Sequence, residues 1–141
     1  MKELGLMHYF LGLEVSQRPS EIFLSQGNYI VKLLERFGMV DCKSVSTSME
    51  LNFMKLSGNV AGPVLANPTE YRQLVGALMF LVNTRRDVCF AMNTLSQHMV
   101  EPHHIHWVCA KNLLRYLQGT INHGLRYIAS SVTLHGYIDA D

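Results

Sequence analysis

The densest set of chemically capable side chains lies between positions 98 and 109: His98, His103, His104, His106 and Cys109. Imidazoles and thiolates are zinc donors, and His103 with His106, or His106 with Cys109, would share one face of a helix. A structural zinc site takes four such donors. No second pair stands at a recognisable distance, so the segment reads more readily as a polar helix start with surface imidazoles. Cys109 near His106 also has the beginnings of a nucleophilic pair, but nothing supplies an orienting acid or an oxyanion site. Burial of Cys109 as a small apolar residue is the expectation. A second group is basic and aromatic: Lys111, Arg115 and Arg126, with His123, interleave with Trp107 and Tyr116. That mixture suits single-stranded nucleic acid, which is held by charge and stacking; Trp107 and Tyr116 equally suit a core.

Composition sets the bounds. A chain of 141 residues corresponds to one domain, or to parts of two adjoining ones. Its 48% hydrophobic content supports a sizeable core, and no apolar run is long enough to span a membrane. The N-terminus lacks a signal-peptide hydrophobic region, and Cys42, Cys89 and Cys109 are an odd number at scattered spacings. Both features fit an intracellular, reducing location with free thiols, not a secreted protein. The net charge of +1 says little about partners, because nucleic-acid binding needs a local basic face.

The elements that would position these side chains are ordered around the stretch from Thr69 to Thr84. There Tyr71, Leu74, Val75, Leu78 and Leu81 recur at the spacing of a buried helical face, with Thr69 as the expected cap. Gly76 weakens that helix by roughly 1 kcal/mol relative to Ala unless a neighbour packs closely there. Upstream, His8 to Gln17 alternates as a strand, Arg18 to Ser20 forms a turn, and Ile22 to Leu24 returns as a second strand. Gly12 inside the first strand implies a bulge or a close backbone approach. A helix capped by Ser25 follows, with Tyr29, Ile30, Leu33, Leu34 and Phe37 on one stripe and Gly38 as its stop. Positions 39–67 form a long connection with a short extended piece at 43–49. Asp87 caps a third helix through about Met99, and a fourth runs from His104 to Gly119. Leu125–Ile128 and Val132–Ile138 read as two further strands. The expected fold is α+β: an N-terminal β-hairpin, a central region of about four helices, and a C-terminal hairpin cut short. Met1 to Gly5 resembles the end of an element, and both chain ends look truncated.

Six segments in this order carry a family resemblance: KELGLMHYFLGLEV, IFLSQGNYIVKLLERFGM, EYRQLVGAL, TRRDVCFAMNTLSQHM, HWVCAKNLLRYLQGT and the closing GYIDAD. Together they resemble the Pol polyprotein of Ty1/copia-type LTR retrotransposons, over essentially the whole chain. The resemblance implies a stretch of a reverse transcriptase beginning just after the catalytic Asp pair. Positions 1–25 would end the palm with the primer-grip hairpin, 26–120 would be a thumb-like helical region, and 121–141 would lead into a ribonuclease H domain. It implies that Phe10, Leu11 and Gly12 form the grip against the primer, with Gly12 leaving room for a nucleic-acid backbone. Arg72, Gln73, Arg85 and Arg86 become phosphate contacts of a thumb helix lying along the primer–template duplex.

The same resemblance makes Asp139 the first carboxylate of a ribonuclease H site that would hold Mg²⁺, with Asp141 as its fallback. The partner carboxylates are absent, so the chain is expected to need no cofactor of its own, magnesium belonging to the complete enzyme. The tail Tyr137-Ile138-Asp139-Ala140-Asp141 is not a polymerase Tyr-x-Asp-Asp turn, because its acids are not adjacent and it follows the helices. The chain departs from the family where Thr84-Arg85-Arg86-Asp87 stands in place of Thr-Arg-Pro-Asp, and at Ser48 and Ile138, where Pro and Ser are usual. The resemblance points to a segment that positions an RNA–DNA or DNA duplex alongside the remainder of Pol, inactive by itself and not membrane-bound. The competing expectation is a stand-alone helical binding or structural module derived from such an element.

Overall fold

The computed structural model describes residues 6–50 and 62–129. Among the described residues the fold is α+β, with four antiparallel strands in the spatial order β1-β2-β3-β4 and four α-helices. The strands are β1 (Tyr9–Phe10), β2 (Leu13–Arg18), β3 (Glu21–Ser25) and β4 (Gly124–Ile128).

The alternating run expected as one strand from His8 to Gln17 is broken at Leu11–Gly12, where the chain reverses. Phe10 pairs with Leu13, and φ is +49° at Leu11 and +82° at Gly12. Positive φ at both central residues makes a two-residue hairpin turn whose twist matches the flanking strands. Alternation continues through such a turn, so the pattern alone conceals it. The turn expected at Arg18 to Ser20 forms, with Arg18 opposite Glu21. β4, the first strand of the expected C-terminal hairpin, pairs with β3 from Glu21–Ile128 to Ser25–Gly124. The sequence leaves the two ends as separate hairpins lacking partner strands; in the structure β4 supplies one, and Arg126 closes it with an ion pair to Glu21 at 2.6 Å. The second expected strand, Val132–Ile138, lies outside the described residues.

The helices are α1 (Gly27–Arg36), α2 (Pro68–Met79), α3 (Cys89–Ser96) and α4 (His104–Gly119). Ser25 ends β3, and Gln26 is the N-cap of α1. Asn67 precedes α2 and Pro68 takes its first turn, where a missing N–H costs nothing, so Thr69 is not the cap. The helix expected to reach Thr84 tightens at Phe80–Asn83 into a 3₁₀ turn. A second 3₁₀ turn at Arg86–Val88 stands where Asp87 is expected to cap the third helix.

One core joins these four helices. Ile30, Leu33 and Leu34 of α1 meet Tyr71, Leu74, Val75 and Leu78 of α2, with Ala91 and Leu95 of α3 and Leu113, Leu114 and Leu117 of α4. The buried Tyr71 hydroxyl donates to the Leu95 carbonyl at 2.7 Å, so its polar atom is satisfied where its ring fills the core.

The described parts of the 39–67 connection are held by α4 and its approach. Arg115 Nε donates to the Lys43 carbonyl at 2.7 Å, the Leu65 N–H to Pro102 at 2.8 Å, and the His104 N–H to Pro63 at 3.0 Å. The 43–49 piece takes no regular strand partner, although Met49 packs on the core.

Among the described glycines Gly124 marks the tightest backbone approach, since a Cβ there would collide with the Leu24 carbonyl oxygen. Gly124→Ala is therefore expected to part β4 from β3 at a cost of about 1–3 kcal/mol. Hydrogen exchange should show lost protection at residues 22–24 and 125–127, with residues 71–78 and 110–117 unaffected; unchanged protection on both strands would contradict the close approach.

Candidate nucleic-acid interface

The β1–β2 turn is exposed and apolar. Leu11 is 79% and Phe10 52% solvent-accessible, although a leucine at positive φ is uncommon. Its inner side is filled by the protein itself. A Cβ at Gly12 would come within 3.1 Å of Phe80 Cζ, so the close approach that glycine permits here is to an aromatic ring. Phe80 meets Tyr29 edge-on, with centroids 5.1 Å apart, and the Tyr29 hydroxyl donates to the Ala77 carbonyl at 2.9 Å. Glu14 accepts the Asn28 N–H at 2.7 Å, capping the first turn of α1, and the Asn28 amide donates to the Tyr9 hydroxyl at 2.8 Å. The hairpin is thus tied to the start of α1 and the end of α2. Between the hairpin and α1 runs a cleft of about 420 Å³ lined by Tyr9, Gly12, Glu14, Asn28, Tyr29 and Lys32, among others.

The four cation and amide positions expected on the helical region meet different fates. Arg72 and Gln73 lie on the exposed side of α2. Arg72 donates from Nε to Met99 at 2.7 Å and from Nη2 to Val100 at 2.9 Å, satisfying the carbonyls that follow α3. Gln73 Oε1 accepts from Arg36 Nη2 at 3.1 Å. Arg86 is exposed and opens the second 3₁₀ turn, as Pro would in the family pattern.

Arg85 is the correction. It is 1% exposed, and its guanidinium donates to both Asp87 oxygens at 3.0 and 2.7 Å, to the Thr120 carbonyl at 2.9 Å and to Thr120 Oγ1 at 2.7 Å. A buried charge is tolerated only when paired and hydrogen-bonded, and every one of these contacts is internal. Arg85 is a structural clamp and has no face toward a phosphate. Burial would push the Asp87 carboxyl up, but hydrogen bonds from Arg85 and Tyr116 and the adjacent guanidinium charge outweigh it and hold it low.

Several of the other groups singled out by sequence are engaged within the fold. Lys111 Nζ sits 4.9 Å from the Trp107 ring centroid, Arg115 binds the Lys43 carbonyl, and Tyr116 donates to Asp87 at 2.8 Å. The His98 and His106 rings stack with centroids 3.8 Å apart and planes 13° from parallel, which aligns their in-plane lone pairs instead of converging them. His106 Nδ1 accepts the His103 N–H at 2.9 Å, closing the first turn of α4. Among the described residues no group of three or more His, Cys, Asp or Glu could hold a metal ion. Burial lowers His106 to about 4, helped by His98 and His103, and burial pushes the Cys109 thiol up to about 11. Asp139 and Asp141 lie outside the described residues.

Three participants escaped the sequence reading as a site. Phe80 and Tyr29 form the joint between hairpin and helix, and their only signal was an apolar spacing that every core residue shares. Arg36 gave none, being one cation on the polar face of an amphipathic helix. Among the described residues no helix is long and apolar enough to cross a membrane.

Several curated proteins are similar to the chain along its whole length. An uncharacterized mitochondrial protein of Arabidopsis thaliana is 41% identical over 143 residues, which cover 100% of this chain and 58% of that protein. The retrovirus-related Pol polyprotein from transposon RE1 of the same plant is 45% identical over 142 residues, covering 100% of this chain and 10% of the polyprotein. That from transposon TNT 1-94 of Nicotiana tabacum is 37% identical over 149 residues, 100% of this chain and 11% of the polyprotein. The chain therefore spans little more than half of the first relative and about a tenth of the two polyproteins. No family model and no solved structure matches it.

Two outcomes are expected from this geometry. Arg85→Ala should destabilise the fold by about 3 kcal/mol, whereas Arg86→Ala should stay within about 0.5 kcal/mol, as measured by urea unfolding. Equal effects would remove the clamp from the account. The second concerns acid. An unfolded His titrates near its ordinary 6.5, while folded His106 resists protonation down to about 4. Between those values the unfolded chain binds more protons, so stability should fall as pH drops from about 6.5 to about 4. His106→Asn, which keeps an acceptor for the His103 N–H, should flatten that dependence; an unchanged slope would show that other groups cause it.

Proposed function

From the premise that this chain belongs to the retrovirus-related Pol polyproteins of copia-type transposons, matching one segment of them, we propose that it holds a primer–template duplex during RNA-directed DNA synthesis. The observation that carries this reading is the junction at Gly12 and Phe80. It packs the β1–β2 turn, where Phe10 and Leu11 are exposed, against the ring that follows α2, so that two segments far apart in sequence meet. On the outer side of α2 Arg72, Gln73, Gly76 and Met79 are exposed, with Arg86 beyond the 3₁₀ turn. Among the described residues no atom beyond Gly76's chain neighbours and the backbone of its own helix lies within 4 Å of where a Gly76 Cβ would stand, and Gly76 is exposed.

A glycine at an exposed helix position costs stability, and close approach by a partner is a physical reason to keep it. A duplex presents a continuous curved surface of phosphates and sugars, which binds to cations and to shallow apolar ground without base readout. In this reading Phe10 and Leu11 meet the primer end, Gly12 seats their turn on Phe80, and Arg72, Gln73 and Arg86 flank the duplex. The bond-making step, with the magnesium ions that such chemistry uses, belongs to the remainder of Pol, because this chain brings at most one of the carboxylates concerned.

The 141-residue chain should bind an RNA–DNA hybrid weakly and without sequence preference, with affinity falling steeply as salt rises. Gly76→Leu provides the sharper measurement. It should raise the unfolding midpoint, because leucine is the better helix former by up to about 1 kcal/mol. It should also weaken hybrid binding by about an order of magnitude, equivalent to some 1.4 kcal/mol of lost contact. Fluorescence anisotropy titrations at several salt concentrations test both parts. Absence of binding at low salt, or unaltered affinity in Gly76→Leu, would overturn the assignment of this face.

A further inference from the structure

The sequence reading draws no interface residue from α1, yet the fold delivers one of its guanidinium groups to the outer side of α2. Arg36 stands in the last turn of α1, exposed, with Nη2 donating to Gln73 Oε1 at 3.1 Å and its Cζ 5.5 Å from the Phe37 ring centroid. Both supports are uncharged. An amide oxygen occupies one donor of the fork and an aromatic ring steadies its plane, while among the described residues no carboxylate forms an ion pair with it. Arg85 shows the contrast within the same chain, since there a carboxylate and a threonine consume the guanidinium. Among the described contacts Arg36 uses only one donor, to Gln73, with the Phe37 ring beside its plane, and the remaining donors of the fork are of the kind that recognises a phosphate.

We propose that Arg36 is a phosphate-contacting residue of the duplex face and that Gln73 is its positioning residue, acting through the guanidinium; this rests on the duplex-binding reading above. Lys32 lies one turn earlier on α1, but it shares the rim of the cleft with Glu14 and Glu35, and those carboxylates oppose an anion there. The cation that matters is therefore Arg36, at the end of α1 nearest Gln73. The ligand chemistry is a nucleic-acid backbone phosphate, bound without regard to base identity.

The test is a hybrid titration of the 141-residue chain over a range of salt concentrations, with circular dichroism confirming that each variant is folded. Arg36→Gln keeps the aliphatic stem and removes the charge, so it should flatten the log–log salt slope by about 0.9, the value of one phosphate contact on B-form duplex. Arg36→Lys should retain the slope and lose affinity, because the charge stays and the fork is lost. Gln73→Ala should lower affinity with the slope retained, an effect that a purely structural glutamine would not separate from unfolding. If the parent chain binds and Arg36→Gln leaves its slope unchanged, this inference fails and the duplex reading stands. Failure of the parent chain to bind at low salt would remove both.

Discussion

A buried guanidinium with all its contacts inside the protein holds this fold in register. Arg85 reaches from the turn between the two 3₁₀ segments to Asp87, two residues on, and to Thr120 just beyond α4. Thr120 in turn donates to the Tyr116 carbonyl, and Tyr116 to Asp87, so the ring of contacts closes on itself. One residue earlier, the buried Thr84 hydroxyl donates to Gln26 at 2.6 Å, and Gln26 donates to the Phe80 carbonyl at 3.3 Å. Two neighbouring positions therefore tie the end of α2 both to the end of α4 and to the joint between β3 and α1. Because an unpaired charge or amide in that interior would cost several kcal/mol, the arrangement admits little displacement of any of the three partners.

What reaches the surface follows from that constraint. With the end of α2 fixed and tightened into a 3₁₀ turn, Phe80 faces Gly12 and Tyr29, and the hairpin turn rests on it. The β1–β2 unit is short, and a ribbon of that size has little stability by itself. It keeps its place through the Phe80 contact, the Glu14 cap of α1 and the sheet that continues through β3 to β4. An exposed apolar turn carried on a rigid joint is suited to holding a partner in a defined position relative to the outer side of α2. That geometry connects the buried polar clamp to the proposed duplex-holding role.

The sequence by itself determined the α+β class, the buried faces of α1 and α2 and the turn at Arg18 to Ser20, because hydrophobic period and turn chemistry act over a few residues. The inward residues Ile30, Leu33, Leu34, Tyr71, Leu74, Val75 and Leu78 were readable on that ground alone. The hairpin turn at Leu11–Gly12 was readable only as an anomaly at Gly12, since a two-residue reversal preserves the alternation on both sides. Tertiary structure alone decided which cations are free. Arg85 and Arg86 are adjacent and chemically identical, yet one is enclosed because Asp87 and Thr120 converge on it, and the other faces solvent. Arg36 came to the outer side of α2 because α1 packs where its last turn meets Gln73, 37 residues away, and β4 joined β3 across still longer separations. Charge and periodicity are local properties that a sequence displays. The partner of a charge is a property of distant segments brought together, and only the folded chain specifies it.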